Sequence, residues 1–502
     1  MSRKIKELKE DPKKIKEALN KGVVDYAVPI KWAYMADLIR FIGKAKVFEI
    51  LGNATGRFKR RSIPFVSKFL LIYIIKLFVG ISSIRGMKEL LSDYGTMKLI
   101  GFSHEEFSKG LCARGKGNQY GRKYIRKAGI MDTFTVTDNI ARFNVKSVIG
   151  CHDAIIKEQV RQGVEFGEVY AVDSTIIETP EGYPGAGKTV REEREDCVGS
   201  TPAYIYGFKL FVVYDIKTRI TVAMDIVSAE KPDSKYLFPM VEKAEQNLGR
   251  GKIKVIVADR GFIDGNSLWR LKYEKGIEFI IPAKRGMTIW EDAVGFRETA
   301  ERAGMVETWY YGKGESGGYF VPGLLSYGEY NKEPAKSKKY RNGCPLNAVV
   351  VTLWRGKKIA AGKEKVLLTG LSGGGATGII KGYRLRSYVE NCEFRELKQA
   401  AYLSLLPKRR GKDAENSAYV HIALSVITYT IFYAFLYWRK FRRRAKTQLK
   451  KDPIHLREFR KQTNLKPGAI FILDGRYYAI LSIDEVFEAL GIKQRFKHYM
   501  RN

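Results

Sequence analysis

Cysteine and histidine are too few and too scattered in this chain to build a covalent or metal-bound frame. The five cysteines (Cys112, Cys151, Cys197, Cys344, Cys392) are odd in number and contain no C-x-x-C pair, which excludes a secreted disulfide scaffold. The five histidines (His104, His152, His421, His455, His498) lack the spacing of a structural zinc site. An apolar signal core is missing from the N-terminal MSRKIKELKEDPKKIKEALNKG, so export is not expected and a reducing cytoplasm fits best. No fixed-period repeat appears, which excludes solenoids and propellers. Acidic residues are in deficit: 54 Asp and Glu face 89 Lys and Arg, a formal net charge of +35 over 502 residues. Each Lys or Arg that neutralises a phosphate releases a counterion, so a surplus this large points to nucleic acid as partner. The plainer alternative is a lysine-rich proteome.

Long apolar runs are also rare. Ala418 to Trp438 carries no Asp, Glu, Lys or Arg and meets the length of about 20 residues that a membrane span needs. His421, Ser425, Thr428, Thr430 and four tyrosines interrupt it, and the rival stretch Pro64 to Ser82 is broken by Lys68 and Lys76. A central helix packed on a sheet needs the same all-round apolarity, and that is the expectation; no membrane partner is expected.

With 45% hydrophobic residues the chain can bury a large core and divide into several domains. Residues 1–150 read as a helical, DNA-contacting region, with basic punctuation at Arg57, Arg60 and Arg61. From 166 the texture changes to short β-branched runs, VYAVDSTII, YGFKLFVVYDI, ITVAMDIVSA, KVIVADRGF and IEFIIPAK. The first three suggest a meander, and the helical stretch Tyr236 to Leu248 suggests a crossover to a parallel strand, giving a mixed α/β layer over 166–285. Residues 286–365 form a β-rich insertion rich in glycine and basic turns, and the core resumes over 366–446. Residues 447–502 read as a small αβ appendage with a hairpin turning at Asp474–Gly475 and a capping box from Ser482 to Glu485.

Asp173 stands in the middle of VYAVDSTII, where an acid among β-branched neighbours is costly unless paired or metal-bound. Asp259 ends a second strand, in the crevice where ligands bind α/β sheets. Glu390 shares one helix face with Tyr383 and Arg386, at i+7, i and i+3. Three carboxylates on separate elements are the hard oxygen ligands that a pair of Mg²⁺ ions needs for phosphoryl transfer, and the adjacent Tyr and bases can grip phosphates. Turn and cap Asp residues, and a surface Arg–Glu pair, are the structural readings of the same positions.

The pattern resembles the DDE transposases of bacterial and archaeal insertion sequences, in the group whose third acid lies in a Y-x2-R-x3-E-x6-K signature. Asp173-Ser174-Thr175 matches the first acid's strand, Asp259-Arg260-Gly261-Phe262 the second, and Tyr383, Arg386 and Glu390 the signature helix. Seven residues rather than six separate Glu390 from Lys398, which a one-residue bulge or a slightly rotated lysine would accommodate; Glu393 is a weaker substitute for the third acid. The resemblance implies a ribonuclease-H-like core, two Mg²⁺ or Mn²⁺ ions on Asp173, Asp259 and Glu390, and DNA contacts from Tyr383, Arg386 and Lys398. It also implies a homodimer acting on paired ends of double-stranded DNA.

One motif competes. Gly182 to Thr189 fits G-x-x-x-x-G-K-[ST], and VIVAD (Val255 to Asp259) passes for the apolar strand of a P-loop ATPase. Glu178 to Glu181 intervenes between strand and loop, however, and the following VREERED is almost wholly charged, so a glycine-rich connection is the preferred reading. A catalytically inactive DNA-binding relic is the remaining alternative.

Overall fold

VYAVDSTIIET forms an extended strand that is buried without a break from Tyr170 to Asp173, as a central strand is, and then at the alternate positions Thr175 and Ile177. YGFKLFVVYD shows no alternation at all: it is buried continuously from Gly207 to Asp215, as a strand covered on both faces must be. These two strands are the centre of a computed structural model that describes residues 9–32, 34–58, 66–109, 130–190, 204–311, 314–332, 343–351, 353–354, 357–358, 364–407, 411, 413–442, 455–463 and 467–492. In chain order the strands are β1 (Lys9–Glu10), β2 (Tyr26–Ile30), β3 (Val169–Thr179), β4 (Gly187–Val190), β5 (Tyr204–Asp215), β6 (Thr221–Ser228), β7 (Val255–Ala258), β8 (Glu278–Pro282), β9 (Glu307–Tyr311), β10 (Gly314–Leu324), β11 (Leu346–Val351), β12 (Leu353–Trp354), β13 (Lys357–Lys358), β14 (Lys365–Thr369), β15 (Gly468–Leu473) and β16 (Tyr477–Ser482). The chain divides into two units, His152–Lys398 and the union of Met1–Cys151 with Gln399–Asn502.

In the first of these units, β3, β5 and β6 form the expected antiparallel meander, with Asp173 opposite Val212 and Phe211 opposite Asp225. The helix Leu237–Leu248 then returns the chain to β7, which runs parallel to β3, and β8 adds a second parallel strand. The order β6-β5-β3-β7-β8, antiparallel first and parallel after, is the ribonuclease-H-like arrangement. The β-rich segment is joined to the same sheet: β14 pairs antiparallel with β8 (Leu368 opposite Ile281), and β11, β10 and β9 follow outward. Pairing with β14 satisfies the edge that β8 would otherwise expose. Ile280, Val349 and Leu367 on this sheet pack against Ala376, Ile379 and Ile380 of the helix Gly375–Arg384. That apolar contact positions the signature residues that follow.

In the other unit, helices Met35–Lys44, Val66–Phe78 and Thr133–Ile140 surround the long helix Ala414–Arg442. The apolar segment Ala418 to Trp438 therefore packs on helices rather than on a sheet, with Phe432 and Phe435 against Phe78, and Phe435 against Phe41. A bundle centre demands the same uniform apolarity as a sheet-covering helix, so composition alone did not distinguish them. Several of its polar residues bond inside: His421 Nδ1 meets Tyr73 Oη at 2.8 Å, and the Ser425 and Thr428 hydroxyls donate to the His421 and Leu424 carbonyls. Burial holds the His421 imidazole down at about 4, so it is neutral.

The C-terminal hairpin is present, with Asp474 and Gly475 both at φ 54° as its turn requires, and Ser482 and Glu485 form the capping box. It does not stand alone. β15 pairs with β2 and β16 with β1, giving a sheet of order β1-β16-β15-β2 in which the N-terminal region, expected as helical, supplies both edge strands. A two-stranded hairpin is marginal in water, and its partners lie too far away in sequence for local pattern to reveal them.

Candidate active site

Asp173 is delivered by the middle of β3 and is only 6% exposed. Its Oδ1 accepts the Ser174 backbone N–H at 2.8 Å, and its Oδ2 accepts Arg386 Nη1 at 2.9 Å. The same guanidinium nitrogen donates to Glu390 Oε1, also at 2.9 Å. Asp259 follows the last residue of β7, in extended backbone at the start of the tight turn Arg260–Phe262. Burial pushes the Asp173 carboxyl up to about 7; Arg386 and the Ser174 N–H oppose the rise, while the charges of Glu390 and Asp259 add to it. Burial of Arg386 works against its charge, but Asp173, Asp259 and Glu390 hold the guanidinium above its ordinary value. One half-buried arginine thus bonds Asp173 and Glu390 and feels the charge of Asp259.

Tyr383 packs against the sheet at the end of its helix, with the Arg386 guanidinium 5.9 Å from its ring centre. Burial lifts its phenol to about 12, so it stays a neutral hydrogen-bonding group. Between Glu390 and Lys398 the helix widens into a π-turn, Val389–Phe394, which absorbs one extra residue. At about 100° per residue, eight regular steps would leave Lys398 about 80° away from the Glu390 face, and the wider turn takes up that excess. Of the bulge and the rotated lysine that the spacing allowed, the helix has the bulge. Lys398 is exposed and feels the Glu178 carboxylate of β3, while neighbouring protein lowers its pKa. Glu393 turns the other way: it is fully buried against Thr221 of β6, and burial pushes it up to about 8, which keeps it an uncharged packing residue.

Two supports were not read from the sequence. Glu307 on β9 accepts the backbone N–H groups of Ala376 and Thr377 at 2.9 and 2.8 Å, so the β-rich segment caps the helix that leads to Arg386. Lys209, buried on β5, bonds Asp233, which in turn meets Ser174 beside the first acid. A lysine inside the apolar run FKLFVV was the available signal for the second; nothing local marked the first.

The rival phosphate loop is not formed. Gly187, Lys188 and Thr189 lie in β4, laddered to β5 with Lys188 opposite Tyr206, so their N–H groups do not cradle an anion. The Lys188 ammonium sits 4.0 Å over the Tyr204 ring. Of the basic residues proposed for DNA near the N-terminus, Arg57 is exposed and its backbone N–H bonds the Arg142 carbonyl. Arg60 and Arg61 lie outside the described residues.

Chemically the three candidates are alike, all offering the carboxylate oxygen that a divalent cation takes, one each from β3, the end of β7 and the helix, with a cationic group bridging two of them. Among the described residues no three acids, histidines or cysteines stand at metal-ligand spacing, consistent with Arg386 standing between Asp173 and Glu390.

Among solved structures the chain is similar to one titled as a piggyBac transposase synaptic complex with hairpin DNA, at 10% identity and a TM-score of 0.43, covering 95% of this chain and 86% of that one. No match is found among curated proteins. A family model described as the transposase DDE domain matches residues 165–427, more than half of the chain, and the match contains Asp173, Asp259 and Glu390. The chain belongs to the transposase DDE domain family.

Proposed function

We propose that this transposase cuts DNA at both ends of a mobile element and joins the freed 3′ hydroxyls to target DNA, using Asp173, Asp259 and Glu390 to hold two Mg²⁺ or Mn²⁺ ions. Members of the family generally use divalent metal. The observation that carries the assignment is the Arg386 bridge between Asp173 and Glu390, with the charge of Asp259 acting on both Asp173 and Arg386. Bound there, the ions would activate the attacking oxygen and stabilise the leaving one.

The protein's own groups account for the rest. Ionising Asp173 at its raised pKa costs on the order of 4 kcal/mol relative to water, which a contacting divalent cation can supply. Arg386 would exchange its carboxylate partners for a DNA phosphate, since a planar guanidinium binds either anion in the same geometry. Tyr383, with its phenol protonated, can donate to the neighbouring phosphate, and Lys398 adds charge on the same helix. Such contacts position DNA without reading its sequence. A homodimer on paired ends, and end recognition by the N-terminal region including Arg57, Arg60 and Arg61, complete the reading.

The test is cleavage of labelled DNA from the borders of the protein's own gene, without nucleotide. Wild type and Lys188→Ala should nick at the borders only when Mg²⁺ or Mn²⁺ is added, while Asp173→Asn should not. Cleavage by Asp173→Asn would remove the assignment, and a strict ATP requirement lost in Lys188→Ala would favour a nucleotide-driven enzyme instead.

A further inference from the structure

A lysine within a central strand must bury its ammonium, which is costly unless hydrogen-bonded and paired. Lys209 does this on β5: its Nζ donates to the Lys231 carbonyl and to Asp233 Oδ1, both at 2.8 Å. Asp233 Oδ2 accepts the Ser174 hydroxyl at 3.3 Å, and Ser174 gives its own N–H to Asp173. On its other side Asp233 packs against Gly261, two residues past Asp259; a β-carbon there would come within 3.0 Å of Oδ2. Phe211 stacks on Tyr236 at 4.2 Å and meets Phe262 edge-on at 6.0 Å, closing the same junction. One carboxylate therefore touches the residue after the first acid and the turn after the second.

We propose that Asp233, anchored by Lys209, is a positioning residue that sets the separation of Asp173 from Asp259; this rests on the assignment of those two acids as metal ligands. The ladder between β3 and β7 ends at Val172 opposite Ala258, so Asp259 lies just beyond the last backbone pairing and needs another restraint. Asp233 supplies it from a loop pinned to the rigid strand β5. Ligand geometry must be held to about 0.5 Å for function, which a free turn does not achieve.

The informative variant is the double substitution Lys209→Met with Asp233→Asn, because it leaves net charge unchanged and strands no buried ion. Mn²⁺ binding to the full chain is followed by electron paramagnetic resonance, beside the melting curve, the affinity for border DNA and the metal concentration for half-maximal cleavage. Ser174→Ala, which cuts only the link toward Asp173, serves as a milder second variant. The double variant should bind Mn²⁺ about 10-fold or more weakly and need correspondingly more metal, as losses of outer supports do, with Ser174→Ala between it and wild type. Its cooperative melt and DNA affinity should be retained. Wild-type Mn²⁺ affinity in the double variant overturns the inference, as does joint loss of melt and DNA binding, which would mark a pair needed only for folding. If wild type binds Mn²⁺ no better than Asp173→Asn, the ligand assignment itself fails, and this inference with it.

Discussion

Arg386 is the residue on which the site turns. It satisfies Asp173 and Glu390 at once, and a cation in that position competes with any other. Replacing it with Met should tighten Mn²⁺ binding by about 10-fold while abolishing cleavage, because the phosphate grip goes with the competing charge; weaker Mn²⁺ binding would show that the arginine instead builds the metal site. Asp173 sets a pH dependence. Its pKa near 7 in the folded, metal-free chain means that it is protonated below and ionised above, and metal needs the ionised form. Mn²⁺ affinity should therefore climb between about pH 6 and 8 and then level off. The stability sign is opposite: the folded carboxyl holds its proton more tightly than the unfolded one at 3.8, so without metal its contribution falls as pH rises from about 4 to about 7 and is level above that. A metal titration and a melt at each pH check both. At this scale Asp173 stood out as a candidate because a carboxylate within an apolar strand is costly unless paired or metal-bound. Glu307 and Asp233 did not, since each acts on backbone or side chains far away in sequence.

At the scale of elements, the β-rich segment is part of the machinery that places the signature helix. Glu307 caps that helix across 69 residues of sequence, where a local Ser or Asp would ordinarily serve; the cap position itself is Gly374 in left-handed conformation. Glu307→Gln should lower stability by about 1 kcal/mol, the usual worth of a cap, and slow cleavage more than it weakens DNA binding. Equal losses in both would mean that the cap merely supports the fold. The π-turn at Val389–Phe394 shows the opposite relation between sequence and element. The extra residue before Lys398 left a bulge or a rotated lysine open, and the structure has the bulge. The meander, crossover and hairpin were legible, each being set by local period and turn chemistry. The destination of the apolar helix Ala418 to Trp438 was not, because helices and sheets accept the same uniformly apolar surface.

For the whole molecule, segments 9–30 and 468–482 share one sheet, which no local reading could show. Residues 468–482 pair with Tyr26–Ile30 on one side and Lys9–Glu10 on the other. Truncation before Gly468 should therefore expose residues 9–30 to proteolysis and impair binding to border DNA if the N-terminal region reads the ends; unchanged protease resistance would contradict the pairing. The large positive charge was legible at once and agrees with membership of a DNA-transposing family. The most direct measurement of the central claim is incubation of the protein with labelled DNA from both gene borders, with and without Mg²⁺ or Mn²⁺, beside Glu390→Gln. Metal-dependent nicks at the borders that disappear in Glu390→Gln are the predicted result; nicks that persist in the variant, or that need no metal, would contradict it.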